Sequence, residues 1–120
     1  MARQVSAVDT HHLEPAELAV LRARLHEDRR FRCQQLRDIA AHGADPTGSA
    51  DSAAHSEVRH QLTAAAQTAL SEIEAALTRM DAGRYGGCGR CGRTLSLECL
   101  TIHPQARHCT RCQQFLDRQP

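Results

Sequence analysis

The sequence predicts a mainly α chain: a long antiparallel helical hairpin of coiled-coil type, then a small four-cysteine finger and a short C-terminal helix. Three observations predict this. Two stretches of nearly 30 residues repeat apolar side chains at helical spacing, a Gly- and Pro-containing run separates them, and four of the six cysteines fall into two Cys-x-x-Cys pairs near the end. Composition agrees. With 41% hydrophobic but only 2% aromatic residues in 120, the chain has poor material for a thick core, so an elongated or cross-linked shape is expected.

Residues 1–12 are polar and without period, and read as a flexible leader. In "LEPAELAVLRARLHEDRRFRCQQLRDIAAH" Pro15 suits the first helical position, and Glu17 falls in the first turn, where the helix dipole favours an acid. Leu18, Leu21, Leu25, Leu36 and Ile39 share one stripe that Asp28 and Arg32 interrupt, which predicts a helix over Leu13–Ala41 with an imperfect seam. The stretch "GADPTGSADSAA" supplies Gly43, Pro46 and Gly48 for a tip loop near 42–52, with Asp51 or Ser52 capping the second helix. Over Ala53–Asp81 the residues Val58, Leu62, Ala66, Ala69, Ile73, Leu77 and Met80 recur at helical spacing, with Glu72 and Glu74 off the stripe, and Gly83 closes the helix. Two single-stripe helices joined by a short loop bury their stripes against each other, each arm reaching roughly 40 Å at about 1.5 Å per residue. The expected organisation is therefore a leader over 1–12, the hairpin over 13–83, and the finger with its terminal helix over 84–120.

Cys88 and Cys91 form one pair, Cys109 and Cys112 the other, with residues 92–108 between them. That is the spacing of a four-thiolate structural zinc site, because each short pair offers two sulfurs to one face of a tetrahedron. Gly89 and Gly92 relieve the tight backbone and free amides to hydrogen-bond the sulfurs. Two disulfides or a thioredoxin-like redox pair are the other readings. A reducing compartment, expected because the start shows no signal-peptide pattern, disfavours the first, and the lack of a strand-helix-strand pattern around Cys88–Cys91 disfavours the second. With four protein ligands the one metal has no open position, so it folds the segment and does not catalyse.

Cys33 reads as a small apolar residue beside the first seam, and Cys99 as a silent loop residue, with exchange for a ligand or oxidation as the alternative reading. His103 and His108 lie in the same loop, and His108 adjoins Cys109; the four regularly spaced cysteines outweigh them. The remaining histidines show no ligand spacing and read as solvated.

Several function classes fall away. No nucleophile-base pair, phosphate loop or open metal site marks an enzyme. No apolar run of about 18 residues marks a membrane span. The formal charge of +1 and pI near 7.7 exclude a surface built throughout to coat nucleic acid. Two alternatives stay open: a zinc-thiol redox sensor, and a GATA-like zinc-finger DNA binder. The second meets an obstacle in "GRTLSLECLTIHPQARH", which has no tryptophan, and in "QQFLDRQP", a terminal segment too short and too mixed in charge to read bases well.

"ALTRMDAGRYGGCGRCGRTL" followed by "HPQARHCTRCQ" resembles the DksA/TraR family of bacterial transcription regulators. The residues that carry the resemblance are Gly83, Tyr85, Gly86, Cys88, Cys91, Gly92, Pro104, Ala106, Cys109 and Cys112, and it extends over 13–116. It implies a cytoplasmic bacterial protein, here expected to be a monomer, that binds RNA polymerase and not specific DNA sequences. In that family the hairpin enters the secondary channel of the polymerase and acidic tip residues modulate initiation. The family tip reads Asp-x-x-Asp-x-Ala; here Asp51 and Ala53 match, Gly48 stands at the first acid's position as a departure from the pattern, and Asp45, one turn upstream, is the acid expected to help Asp51. For some members the alarmone ppGpp is a co-regulator, and no residue is assigned to it here. Charge distribution fits: between His42 and Glu57 there are three acids and no arginine, whereas residues 84–120 carry six arginines against Glu98 and Asp117. Such polarity orients an approach to a charged partner.

Overall fold

The computed structural model describes residues 13–43 and 52–119. Among them α1 (Pro15–Gly43) and α2 (Ser52–Asp81) pack antiparallel as the arms of a hairpin, and α3 (Leu97–Ile102) and α4 (Thr110–Asp117) belong to a small head at its base. The molecule extends over 65 × 35 × 21 Å, and its radius of gyration of 18.1 Å exceeds the roughly 13–14 Å of a compact chain of this length.

The ends of the arms follow from local chemistry. The Glu17 carboxylate accepts a hydrogen bond at 3.0 Å from the backbone N–H of Glu14, the reciprocal half of a capping box, and Pro15 occupies the first turn where no donor is needed. Leu13 and Leu18, at the positions of a hydrophobic staple, both join the core. At the far end of α2, Gly83 adopts φ 75°; its N–H donates to the Met80 carbonyl at 3.1 Å, and that of Arg84 to the Arg79 carbonyl at 2.8 Å. These two bonds are a Schellman cap, which needs a left-handed residue at Gly83. The arms start and stop within two residues of the expected limits, α1 running through Gly43.

Burial is uneven along the hairpin. Leu13, Leu21 and Leu25 of the α1 side, Ile73, Ala76 and Met80 of α2, and Tyr85, Cys88, Leu95, Leu100 and Cys112 of the head form one core at the base. Toward the tip Leu36 and Ile39 are half-buried, while Val58 and Leu62 of the expected seam are 51% and 48% exposed. The interruptions behave as charges at a seam edge: Asp28 lies 3.7 Å from Arg24, and Arg32 donates to the Gln35 side chain at 3.0 Å. Two exposed ion pairs, Arg22–Asp81 at 2.9 Å and Arg29–Glu74 at 3.1 Å, cross between the arms and fix their register more than their stability.

One element has no counterpart in the sequence reading. Residues 97–102, expected as loop, form α3, with Ser96 as N-cap accepting from the Cys99 N–H at 3.0 Å. The leader 1–12 and the tip residues Asp45 and Asp51 lie outside the described residues; Ala53 is exposed in the first turn of α2. Among the described residues no helix is long and apolar enough to cross a membrane.

Candidate metal centre

The Schellman cap at Gly83 turns the chain so that Tyr85, fully buried, enters the core two residues later. Its hydroxyl donates to the Pro104 carbonyl at 2.8 Å, tying the approach to the first cysteine pair to the approach to the second. The first pair then sits on a tight hairpin. The Leu95 N–H donates to the Gly86 carbonyl at 2.8 Å, that of Cys88 to the Arg93 carbonyl at 2.7 Å, and Gly87 and Thr94 form an antiparallel bridge. Gly92, at φ 78°, closes this turn. The second pair opens α4: Cys109 is its N-cap, and its sulfur accepts from the Cys112 N–H at 3.4 Å. The Gly89 N–H donates to the Arg107 carbonyl at 2.8 Å and joins the two knuckles.

These elements bring the sulfurs of Cys88, Cys91, Cys109 and Cys112 within 4.8 Å of one another. The Cys91 and Cys109 sulfurs are 3.8 Å apart, which is the separation expected on a tetrahedron with metal–sulfur bonds of about 2.3 Å. Cys88 and Cys112 are buried, Cys109 is half-buried and Cys91 is exposed. Such a group could hold a metal ion with all four positions filled.

The acidities of the thiols fit a cation. Burial pushes the Cys88 thiol up, but backbone N–H groups of Cys91, Cys109 and Arg90 outweigh it and draw it down to about 6. The Cys109 thiol is lowered chiefly by the Cys112 N–H at the start of α4, as a sulfur at a helix N-terminus should be. For Cys112 a hydrogen bond from Arg90 favours the thiolate, while burial and the neighbouring sulfurs oppose it and leave it at about 11. Cys88 and Cys109 are thus shifted toward the thiolate, while burial first and then the hydrogen bonds with neighbouring sulfurs make Cys112 resist ionisation. A divalent ion removes that resistance.

Cys33, Cys99, His103 and His108 stand outside the four-sulfur group among the described residues. Cys99 lies in the first turn of α3, and His103 caps the same helix, its N–H donating to the Cys99 carbonyl at 2.8 Å. Sequence reasoning missed Arg90. Its guanidinium lies 3.8 Å from the centroid of the Phe115 ring and donates to the Cys112 sulfur at 3.6 Å, so it both clamps α4 and offsets thiolate charge. The available signal was its place between the cysteines of "CGRC".

Comparison with known proteins agrees on the architecture. The solved structure of transcription factor DksA2 from Pseudomonas aeruginosa superposes with a TM-score of 0.75 over 96% of this chain and 94% of that one, at 23% sequence identity. The chain therefore has a DksA-like fold. An uncharacterized protein of Aquifex aeolicus is 36% identical over 50 residues, a stretch covering 42% of this chain and 34% of that protein's length. No protein-family model matches the chain.

Proposed function

We propose that the chain is a non-enzymatic transcription regulator of the DksA/TraR kind, which binds RNA polymerase through its hairpin and holds one structural zinc ion on Cys88, Cys91, Cys109 and Cys112. The observation that carries this reading is the shared architecture over nearly the whole chain with a protein described as a transcription factor. Hairpin or four-cysteine head alone would fit several functions; the direct junction of one to the other through Gly83, Tyr85 and Gly86 narrows them. In this reading the arms, with a long axis of 65 Å for the molecule, enter the polymerase secondary channel tip first. Asp51, assisted by Asp45 and with Ala53 beside it, then acts near the catalytic centre, where three acids within the tip region bring negative charge close to bound metal and nucleotide. The basic head remains outside. The protein acts as a monomer in the bacterial cytoplasm, and ppGpp as a co-regulator is a further option that the same assay reads.

The test is co-purification with RNA polymerase followed by initiation in vitro. Wild type is expected to bind the enzyme at micromolar concentration and to alter initiation; Asp51→Asn should keep binding and lose most of the effect. Failure of the folded protein to bind core or holoenzyme would sink the proposal.

A second reading, a zinc-thiol redox sensor, draws on the exposure of Cys91 and its 3.8 Å approach to Cys109. It predicts zinc release by mild peroxide together with a change in activity. Zinc that survives such treatment would exclude it.

A further inference from the structure

On the face of the head toward α2 a cleft of about 880 Å³ is lined by four arginines, Arg79, Arg84, Arg90 and Arg107, and by no carboxylate. They converge from different parts of the chain: Arg79 from the last turn of α2, Arg84 from the cap beyond it, Arg90 from the first knuckle and Arg107 from the approach to the second. None of the four is in an ion pair among the described residues, whose ion pairs lie along the hairpin. Burial, and then the positive charge of Arg107, hold the Arg79 guanidinium below its ordinary range, so like charges have been gathered and not dispersed. Arg107 packs over Gly89, where an added Cβ would meet its Nε at 3.2 Å, so this glycine keeps the arginine against the knuckle.

The cations are not equally free. Arg90 is taken up by the Cys112 sulfur and the Phe115 ring. Arg79 reaches the carbonyls of Ala106 and Gln105 only at 3.3 and 3.5 Å, and Arg84 and Arg107 are exposed. A four-thiolate zinc site would add about two negative charges nearby, which Arg90 partly offsets. Three guanidiniums, those of Arg79, Arg84 and Arg107, therefore face a ligand.

We infer that this cleft is a docking site for the phosphodiester backbone of duplex nucleic acid, bound without reading its sequence. The remaining lining decides the partner. Apart from the arginines and the knuckle cysteines it is small, with Gly87, Gly89, Gly92, Ala75 and Thr78. An acidic peptide draws most of its affinity from apolar and aromatic anchors, and the cleft offers no pocket for one. Single strands need aromatic platforms, and none lines it. A small polyphosphate is held by enclosure on most sides, whereas Arg84 and Arg107 stand exposed on an open face. Exposed guanidinium forks over a close-lying glycine backbone suit a run of phosphates that presents charge and nothing to bury.

The experiment is fluorescence anisotropy of a labelled random-sequence duplex with the full, zinc-loaded chain, starting at low salt. Three phosphate contacts give a slope of log K against log salt of about −2.7, so a fourfold rise in salt weakens wild-type binding about 40-fold. Arg84→Gln or Arg107→Gln each removes one contact, and the same rise then weakens binding only about 12-fold; for the double variant it is about 3.5-fold. Arg84→Lys and Arg107→Lys, which keep the charge, should leave the slope near the wild-type value, while thermal melting and zinc content confirm that every variant is folded. The inference is overturned if the folded wild type shows no duplex binding at low salt, if the double variant keeps the wild-type slope, or if polyglutamate binds as tightly as the duplex and is lost to the same substitutions.

Discussion

Tyr85 is the one tyrosine of the chain, which has no tryptophan, and its environment makes a measurable demand. Burial raises its hydroxyl from 10.0 to about 12, with the positive charge of Arg79 opposing and Cys99 adding slightly. Because the folded value lies above the unfolded one, the stabilisation is present in full below about pH 10 and is lost as pH rises through 12, an amount of about 2 to 3 kcal/mol. Ultraviolet titration of the phenolate reports this residue alone. The folded protein should show a midpoint well above 10 that coincides with loss of helicity, and in denaturant the midpoint should return to about 10. A midpoint near 10 with helices intact would show that the ring does not sit under Pro104 as described. The residue scale is also where sequence reading falls short. That Tyr85 belonged to the turn was legible from its place between Gly83 and Gly86, but its bond to Pro104, 19 residues away, was not, since no local pattern encodes a contact across a loop.

At the scale of elements the two arms were legible because a 3.6-residue period sustained over nearly 30 residues leaves little else to form, and because Pro15, Glu17 and Gly83 mark their ends. The short helix α3 was not. Six residues carry less than two turns of period, and its signal was only the capping Ser96 with Glu98 in the first turn. Expected burial failed at Val58 and Leu62 for a different reason. Near the tip α1 offers them half-buried Leu36 and Ile39 and a largely exposed Phe31, which lines one open groove with Leu62, whereas at the base the head joins Ile73 and Met80 in one buried core. Periodicity tells which side of a helix faces its partner and nothing about how thick that partner is. The cap supplies the prediction at this scale. Gly83 sits at φ 75° with nothing within 4 Å of an added Cβ, so Gly83→Ala tests backbone conformation without a clash. It should cost about 1 to 2 kcal/mol, lowering Tm by roughly 3–8 °C with the zinc content unchanged. A Tm equal to wild type would mean that the left-handed cap is not held.

For the whole molecule the question is whether head and hairpin are two cooperative units or one. The core argues for one, because Tyr85, Leu95 and Leu100 of the head bury against the same cluster as Leu21, Leu25, Ile73 and Met80 of the arms. The Arg24 side chain, reaching from α1 to the Thr101 carbonyl at 2.7 Å, adds a polar tie between the two. Beyond Tyr85, Leu95 and Leu100 the head contributes short helices, glycines and four sulfurs, and in the proposed function a zinc ion on those sulfurs makes up for its small apolar surface. Removing zinc should therefore release the head and, with it, its share of the core at the base of the arms. Chelation is expected to lower the melting temperature of the helical signal itself, with a single transition before and after, and replacing Cys88 by Ser should have the same effect without chelator. The loss should exceed the share of helix in α3 and α4, since the lower turns of α1 and α2 lose their cover as well. Calorimetry on zinc-loaded and chelated protein, run in parallel with circular dichroism, checks this. A hairpin that melts at the same temperature with and without zinc would show two independent units, and would remove the reason for reading the cysteine head as the base on which the arms are held.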